Sequence, residues 1–432
     1  MAEQGKSRTE TGAGFGKTLS GLQGIKSIED FELKNQRVFI RLDLNVPMSG
    51  EAGSLKISDD TRIRAAIPTV RFALDHGAKV VLASHLGRPE TDADRAKFTL
   101  EPVAARLGEL LGCEVILIEE PTSDAPKALL ASLKSNQLLL LENVRFDKGE
   151  TKNAAELANT IASYTDVYIN DAFGASHRAH STIDALPRLV AKRGCGFLIK
   201  KEIEALSGLL AGPAKPFIAI MGGSKVSDKI KVIEKMIESI DTFLVGGAMA
   251  YTFIAAKGLG VGKSRIEKDR VAFAKELMER IAARGKKFLL PIDHIVADDF
   301  LAPTKIETVV GEAIPEGKLG LDIGPKTRAL YREEILRAKT VFWNGPMGVF
   351  EKPEFAKGSF AVAEAMAGLT EKGGTSVVGG GDSAAAAEAS GFALKMTHIS
   401  TGGGASLEYL EGARLPGLEA LRTVRESAAP SL

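Results

Sequence analysis

The sequence predicts an α/β protein with two domains, each built on a doubly wound parallel sheet, joined by a helix that serves as a hinge. Short runs rich in Val, Ile, Leu and Phe alternate with longer amphipathic or alanine-rich stretches, which is the rhythm of βαβ units. A chain of 432 residues also exceeds the usual size of one hydrophobic core. The predicted strands fall into two sets, and the stretch 197–210, with apolar residues at helical spacing, lies between them as a connecting helix.

The strands are predicted from the short apolar runs. In the first half of the chain they are 37–43, 79–84, 114–118, 137–141 and 167–170. In the second half they are 217–221, 242–245, 287–290, 340–343, 376–379 and 398–401. Helical stretches such as 270–283 and 359–369 lie between them. Two sheets of five or six strands are therefore expected.

Composition narrows the function classes. Lys and Arg total 56 against 55 for Asp and Glu, so no global field would hold a polyanion such as DNA, and any anion site must be built locally. The two cysteines, Cys113 and Cys195, are too few for a disulfide framework and favour a reducing compartment. No apolar run has the length of a membrane span, and residues 1–24 lack the core of a secretory signal. A cytoplasmic protein with a flexible N-terminal tail, and without nucleic-acid or membrane partners, is expected.

Charged side chains follow the strands of the first half. These strand ends are 85–88 (HLGR), 142–145 (ENVR) and 171–174 (DAFG), and the basic cluster 177–180 (HRAH) and Arg62 belong to the same half. Open α/β sheets bind ligands outside the carboxyl ends of their strands. Arginine suits phosphate and carboxylate because its guanidinium donates two parallel hydrogen bonds. The first half therefore predicts a site for a small, multiply charged acid.

Glycines follow the strands of the second half. These ends are 222–225 (GGSK), 246–247 (GG), 344–346 (NGP), 379–382 (GGGD) and 402–404 (GGG), and helices are predicted over 383–389 and 405–410. Glycine lets a backbone approach a phosphate closely, and a helix N-terminus offers free N–H groups. The second half therefore predicts a site for nucleotide phosphates. Lys225 and Lys229, four residues apart, are expected on one face of a helix that opens there.

Each segment taken alone has a structural alternative. Arg41, Asp43 and Asn45 alternate with apolar residues and fit the polar face of a half-solvated edge strand as well as a site. The histidines fit surface or core positions, and the lysine pair fits a solvated face. For the whole chain, a non-catalytic binder of a nucleotide or metabolite stays open. A dehydrogenase is disfavoured because no G-x-G-x-x-G joins a strand to a helix.

Taken together, eight segments closely resemble the phosphoglycerate kinase family, in family order and over roughly residues 25 to 420. They are 37–47 (RVFIRLDLNVP), 84–89 (SHLGRP), 141–146 (LENVRF), 170–180 (NDAFGASHRAH), 222–226 (GGSKV), 343–351 (WNGPMGVFE), 379–383 (GGGDS) and 400–405 (STGGGA).

The resemblance implies two Rossmann-like domains and one reaction. A phosphoryl group passes reversibly from 1,3-bisphosphoglycerate to ADP, giving 3-phosphoglycerate and ATP, by direct in-line transfer after domain closure, with Mg²⁺, in glycolysis or gluconeogenesis. It implies a tail over 1–24, an acid-binding domain over 25–195 to which the C-terminal tail 407–432 returns, and a nucleotide-binding domain over 196–406. A monomer is expected.

The resemblance also implies the site residues. The acid would be bound by Asp43, Leu44, Asn45, Arg62, His85, Leu86, Gly87, Arg88, Arg145 and Arg178. ATP or ADP would be bound by Lys225, Lys229, Gly324, Asn344, Glu351 (towards the ribose), Gly379, Gly380, Gly381, Asp382 and Ser383. Asp382 would contact Mg²⁺, and the catalytic residues would be Arg62, Lys225, Gly380 and Gly403.

Overall fold

The computed structural model describes residues 20–51 and 53–423. The N-terminal tail expected over residues 1–24 therefore lies mostly outside the described residues, and its last part begins with a single 3-10 turn, Ser20–Leu22. In the described part of the chain, no helix has both the length and the apolar character needed to cross a bilayer.

The strands and helices alternate along most of the chain. In chain order the strands are β1 (Lys26–Ser27), β2 (Arg37–Leu42), β3 (Met48–Ser49), β4 (Lys56–Ile57), β5 (Lys79–Ala83), β6 (Glu114–Ile118), β7 (Gln137–Leu141), β8 (Val167–Asp171), β9 (Lys192–Cys195), β10 (Phe217–Met221), β11 (Thr242–Val245), β12 (Lys287–Leu289), β13 (Asp293–Ala297), β14 (Ile306–Val310), β15 (Leu319–Ile323), β16 (Thr340–Asn344), β17 (Thr375–Gly379) and β18 (His398–Ile399). The α-helices are α1 (Thr61–Asp75), α2 (Glu101–Leu111), α3 (Ala125–Ser132), α4 (Ala155–Ala162), α5 (Leu186–Leu189), α6 (Phe197–Leu210), α7 (Ile230–Met236), α8 (Met249–Ala256), α9 (Val271–Ala283), α10 (Pro325–Arg337), α11 (Lys357–Glu371), α12 (Gly381–Ala389), α13 (Gly404–Leu410) and α14 (Pro416–Glu419).

The first sheet is parallel throughout, with the strand order β1-β9-β8-β2-β5-β7-β6. Alternate residues of β2 enter two different cores, with Val38 and Ile40 on one side and Phe39 on the other. Burial on both faces explains why these strands are continuous apolar runs. The sheet has seven strands, more than expected, because β1 and β9 are short and polar and carry no apolar signal.

The second sheet is also parallel, with the order β12-β11-β10-β16-β17-β18. Its predicted strands differ from the observed ones by at most two residues at an end. The predicted fold class is therefore confirmed. The antiparallel sheet β14-β13-β15 was not predicted. The residues of β14 (IETVV) are β-branched and alternate between exposed and half-buried positions, so this strand did carry a signal that was missed.

Helix α6 lies between the two sheets and has the bounds expected of the connecting helix. Its start is fixed by Asp171 at the end of β8, whose Oδ1 accepts a hydrogen bond from the Ile199 N–H at 3.1 Å. Burial raises the pKa of Asp171 to about 6. Farther along, the buried Glu202 accepts a hydrogen bond from the Thr401 N–H at 2.7 Å, and its other oxygen lies 2.8 Å from His398 Nε2. The helix is thus bonded to both sheets.

The C-terminal segment runs back to the first sheet. The Gly417 N–H donates to the Ser176 carbonyl at 2.9 Å, and Asn170 Nδ2 donates to the Gly417 carbonyl at 3.3 Å. Arg193 Nη2 donates to the Arg422 carbonyl at 3.1 Å. These contacts join residues beyond α13 to β8, β9 and the loop after β8.

Candidate active site

Strand β2 is central, because it pairs with β8 on one side and β5 on the other. The edge-strand alternative for residues 41–45 is therefore wrong. Arg41 does not share a solvated face with Asp43, since it is fully buried. Asp43 lies just beyond the strand and pairs with Arg62 of α1 at 2.8 Å. Burial acts to raise the pKa of Asp43, but the neighbouring His85, Arg62 and Arg41, together with the Asn45 N–H, outweigh it and lower the pKa.

A small pocket beside this ion pair is shared by both halves of the chain. Asp43 and Arg62 line it from the first sheet, Leu198 from the start of α6, and Thr401 from the loop after β18. The carbonyl of Thr401 also approaches Gly174, where an added Cβ would lie 3.5 Å from it. One glycine-bearing strand end of the second sheet, that of β18, therefore meets the first sheet beside the Asp43–Arg62 pair.

Neighbouring strand ends of the first sheet are bonded to one another. Asn45 Oδ1 accepts from the Gly87 N–H at 2.8 Å, and Arg145 Nη1 donates to the Gly87 carbonyl at 2.6 Å. Leu44 and Leu86 are buried, and their backbone groups bond to Ser84 Oγ and the Asn143 amide. These bonds place the predicted acid-binding residues after β2, β5 and β7 in one connected layer.

Positive charge is crowded in this layer: Arg41, Arg88 and Arg178 lie around Arg145 and form the arginine layer with it. Burial and the neighbouring Arg178 and Arg41 lower the pKa of Arg145 to about 10, which still leaves it protonated. Burial lowers the pKa of His85 well below its usual value and that of His180 to about 4, so both rings are neutral near pH 7. Arg88 is exposed at the rim. A cluster of guanidinium groups that raise one another's energy is a site that an anion stabilises.

The strand ends of the second sheet meet through backbone contacts. A Cβ added at Gly345 would lie 2.2 Å from the Gly222 carbonyl oxygen, and one at Gly222 would lie 2.2 Å from the Pro346 carbonyl oxygen. Gly345 also has φ +97°, a conformation that other residues rarely adopt. Only glycine fits at both positions, which explains the glycine-rich pattern of these strand ends.

Lys225 and Lys229 do not share a helical face, because α7 begins only at Ile230. That expectation is wrong: the segment between β10 and α7 is a loop. Its conformation is fixed by Glu267, which accepts hydrogen bonds from the N–H groups of Val226 at 2.5 Å and Ser227 at 3.1 Å. Lys225 is exposed on this loop, whereas Lys229 turns inward.

The inward lysine belongs to a polar cluster at the ends of β16 and β17. Lys229 Nζ donates to Asn344 Oδ1, and Asn344 Nδ2 donates to the Gly379 carbonyl at 2.7 Å. Burial lowers the pKa of Lys229, while Asp228 and Asp382 oppose that change. Ser383 Oγ accepts from the Gly345 N–H at 2.5 Å. The structure thus brings four predicted nucleotide-binding residues together.

Helix α12 begins at this cluster. Gly380 precedes it with φ +90°, and the exposed Asp382 lies in its first turn. No group of three or more potential metal ligands occurs among residues 20–51 and 53–423. A single carboxylate still fits Mg²⁺, which commonly binds one or two carboxylates and completes its shell with substrate phosphates and water.

The remaining predicted residues lie at two helix starts and one turn. Gly324 precedes α10, where a Cβ would lie 2.2 Å from the Asp293 carboxyl carbon, and Gly403 precedes α13 with φ +54°. Glu351 is exposed in the turn that follows β16. Within the described part of the chain, the side chains of Lys225 and Glu351 form no hydrogen bond or ion pair.

Several polar residues of the site region were missed from the sequence. Glu202 and His398 join α6 to the second sheet, Glu267 supports the Lys225 loop, and Glu150 with Thr182 lies beneath the arginine layer. Glu202 did carry a signal, because a carboxylate interrupts the apolar stripe of Ile199, Ile203 and Leu206. The other four residues lie in polar or mixed segments, where no sequence pattern distinguished them.

Comparison with known proteins agrees with this geometry. The family model described as phosphoglycerate kinase matches residues 28–413. The phosphoglycerate kinase of Bdellovibrio bacteriovorus is 59% identical over 404 residues, which cover 94% of this chain and 99% of the relative. The cytosolic phosphoglycerate kinase of Triticum aestivum is 49% identical, with 92% and 98% of the two chains covered.

Solved structures lead to the same family. The phosphoglycerate kinase of Coxiella burnetii superposes with a TM-score of 0.82 and 38% sequence identity, over 92% of this chain and 98% of that one. These matches exclude the two alternatives considered for the whole chain, a dehydrogenase and a non-catalytic binder of a nucleotide or metabolite. The chain belongs to the phosphoglycerate kinase family, transferases that catalyse a phosphoryl-transfer step of glycolysis.

Proposed function

We propose that the arginine layer of the first sheet binds 3-phosphoglycerate or 1,3-bisphosphoglycerate and that the glycine-rich loops of the second sheet bind ATP or ADP. The acid would be held by Asp43, Asn45, Arg62, Arg145 and Arg178, with His85 and Arg88 beside them. The observation that carries this assignment is the shared pocket, which is lined by the Asp43–Arg62 pair from the first half of the chain and by Thr401 from the second.

The nucleotide would lie over the start of α12. Its phosphates would meet the N–H groups of Gly380–Ser383, Lys225 and Lys229, and its ribose would meet Glu351. Helix starts of this kind favour anions because their first N–H groups have no partner within the helix. Mg²⁺ would be held by Asp382 together with the phosphates, and when bound it would neutralise charge on the transferred group.

The chain's own residues would act by alignment and charge neutralisation. In the direction of ATP use, a carboxylate oxygen of 3-phosphoglycerate forms a bond to the γ-phosphorus as the bond to the β-phosphate oxygen breaks. The nucleophile is already anionic, so no general base is required. Arg62 and Lys225 would stabilise the charge spread over the transferred group.

We further propose domain boundaries at 25–195 with 407–432 and at 196–406, a monomer, and a cytoplasmic location. The position of helix α6 between the sheets supports the first boundary, and the contacts of Gly417 support the return of the C-terminal segment. The thiols of Cys113 and Cys195 are free, as is common in a reducing compartment.

A coupled assay tests the reaction and its metal requirement. We expect the protein to consume ATP when 3-phosphoglycerate and Mg²⁺ are present. When a chelator removes Mg²⁺, the rate should fall at least about 10²-fold, which is the effect of losing one charge contact in the transition state. Restoring Mg²⁺ in excess is the control for damage by the chelator. An unchanged rate in chelator would reject the metal requirement while leaving the transferase assignment intact.

Domain closure is tested by small-angle X-ray scattering. Since the two proposed binding surfaces belong to different sheets, both ligands together should draw the halves towards each other and reduce the radius of gyration. Closure would also exclude water from the acyl phosphate. The radius of gyration measured with each ligand alone is the control, and it should be larger than the radius with both. A radius that is the same with no ligand and with both would contradict closure.

A further inference from the structure

A buried carboxylate, Glu150, lies on the interior side of the arginine layer and has no part in the mechanism above. It lies in the loop after β7, five residues beyond Arg145, and its side chain is 0% exposed. Glu150 Oε1 is 3.7 Å from Arg41 Nη2 and 3.9 Å from His180 Nδ1. One buried anion therefore faces the cationic layer from within the domain.

The hydrogen bonds around Glu150 have a defined direction. Thr182 Oγ1 lies 2.8 Å from Arg41 Nε and 2.7 Å from Glu150 Oε1. Arginine can only donate, so the hydroxyl accepts from Arg41 and gives its one hydrogen to Glu150. The Thr182 N–H donates to Glu150 Oε2 at 2.9 Å. Both carboxyl oxygens accept from Thr182 and Arg41 lies nearby as a counter-charge, and these contacts favour the ionised form. Burial raises the pKa of Glu150, and Arg41 and Thr182 oppose that rise.

Glu150 also joins the segments that carry two of the proposed acid-binding arginines. Its backbone carbonyl accepts from the Ser181 N–H at 2.8 Å, and its side chain bonds to the next residue, Thr182. Arg178 precedes these residues, and Arg145 precedes Glu150 itself. A buried guanidinium such as that of Arg41 is costly without a counter-charge. Glu150 supplies this charge without occupying the ligand-facing side.

We propose that Glu150 is a charge-balancing residue: its carboxylate offsets the charge of Arg41 and the arginine layer and so stabilises the cationic acid site while no ligand is bound. The inference rests on the proposed function, since it takes this layer to be the acid site. The negative charge of Glu150 also repels an anionic ligand and therefore lowers the affinity of the site for the acid. Removing the charge should therefore tighten acid binding and destabilise the free protein, because the ligand would replace part of the lost negative charge.

The test is the Glu150→Gln variant, which keeps the shape of the side chain. In calorimetric titration with 3-phosphoglycerate we expect Kd about fivefold to twentyfold below wild type, the effect of one charge over about 10–15 Å at an effective dielectric constant of about 20. The Kd for ADP should stay within about twofold. Without ligand, the variant should have a lower Tm than wild type. Adding 3-phosphoglycerate should raise the Tm of the variant more than that of wild type. A purely structural role would leave the affinity unchanged or weaken it.

Two controls separate charge from packing. Glu142→Gln removes a second buried carboxylate, which accepts from Thr99 Oγ1 and the Leu100 N–H at 2.7 Å each. No hydrogen bond or ion pair joins Glu142 to an arginine in residues 20–51 and 53–423, so this variant should lose stability and tighten acid binding less than Glu150→Gln does. Glu150→Asp keeps the charge and should restore an affinity close to that of wild type.

The outcomes also separate this inference from the proposed function. An unchanged or higher Kd in Glu150→Gln overturns the role of Glu150 if Arg178→Ala weakens acid binding. If Arg178→Ala leaves acid binding unchanged as well, the acid site itself is misplaced. Should Glu150→Gln not fold, Arg41→Met and the double variant Arg41→Met/Glu150→Gln decide, because the double variant removes the buried pair together. It should bind the acid at least about fivefold more tightly than Arg41→Met, and equal affinities would reject the proposal.

Discussion

Replacing Arg62 by alanine is expected to lower kcat about 10²–10³-fold, the usual effect of losing one charge contact in a transition state. Arg62 lies in the shared pocket and pairs with Asp43 at 2.8 Å. The substitution removes the guanidinium and also leaves the Asp43 carboxylate uncompensated beside an anionic substrate, which adds repulsion. Steady-state kinetics in both directions measure the change.

The matched control is Arg64→Ala. Arg64 is two residues farther along α1, its side chain is 57% exposed, and it pairs with Asp60 at 2.8 Å. Exposed ion pairs of this type contribute little, so the turnover of this variant should stay close to that of wild type. Near wild-type turnover in Arg62→Ala would remove Arg62 from the proposed role.

Replacing Lys225 by alanine is expected to lower kcat on the same scale, about 10²–10³-fold, with little change in the affinity for ADP. The loop that carries Lys225 is fixed by the bonds of Glu267 to Val226 and Ser227, so the backbone beneath the exposed ammonium is held in place. Among the residues that the structure describes, the ammonium has no ion-pair partner. Such a group is free to meet charge that develops on the transferred phosphoryl. Kinetics and ADP titration together separate the two effects.

Lys231→Ala is the corresponding control, because its side chain is 79% exposed and lies in the first turn of α7, beyond the loop. It should change neither turnover nor ADP affinity. Loss of ADP binding at an unchanged kcat in Lys225→Ala would instead make Lys225 a ground-state contact, as expected for the inward-turned Lys229.

The parallel strands were predictable because burial on both faces leaves an unbroken apolar run. The runs 114–118, 137–141, 217–221 and 242–245 match β6, β7, β10 and β11 residue for residue. Strands β1 and β9 are held by backbone pairing at the end of the first sheet, and pairing leaves no mark in side-chain composition. The prediction that Lys225 and Lys229 share a helical face was wrong for a related reason. A spacing of four predicts a helical face only where a helix exists, and Glu267 holds that segment as a loop.

The sequence by itself determined the class of fold, the family, and the contrast between arginine-bearing and glycine-bearing strand ends, because all three depend on local residue types in order along the chain. Tertiary structure alone decided that β2 is central, that Arg41 points into the interior, and that Glu150, Thr182 and Glu202 are parts of the site region. These facts depend on pairs such as Arg41 with Thr182 and Glu202 with His398, separated by 141 and 196 residues. Burial and charge pairing arise only when distant segments meet, so the residues on one side of such a pair cannot reveal the other.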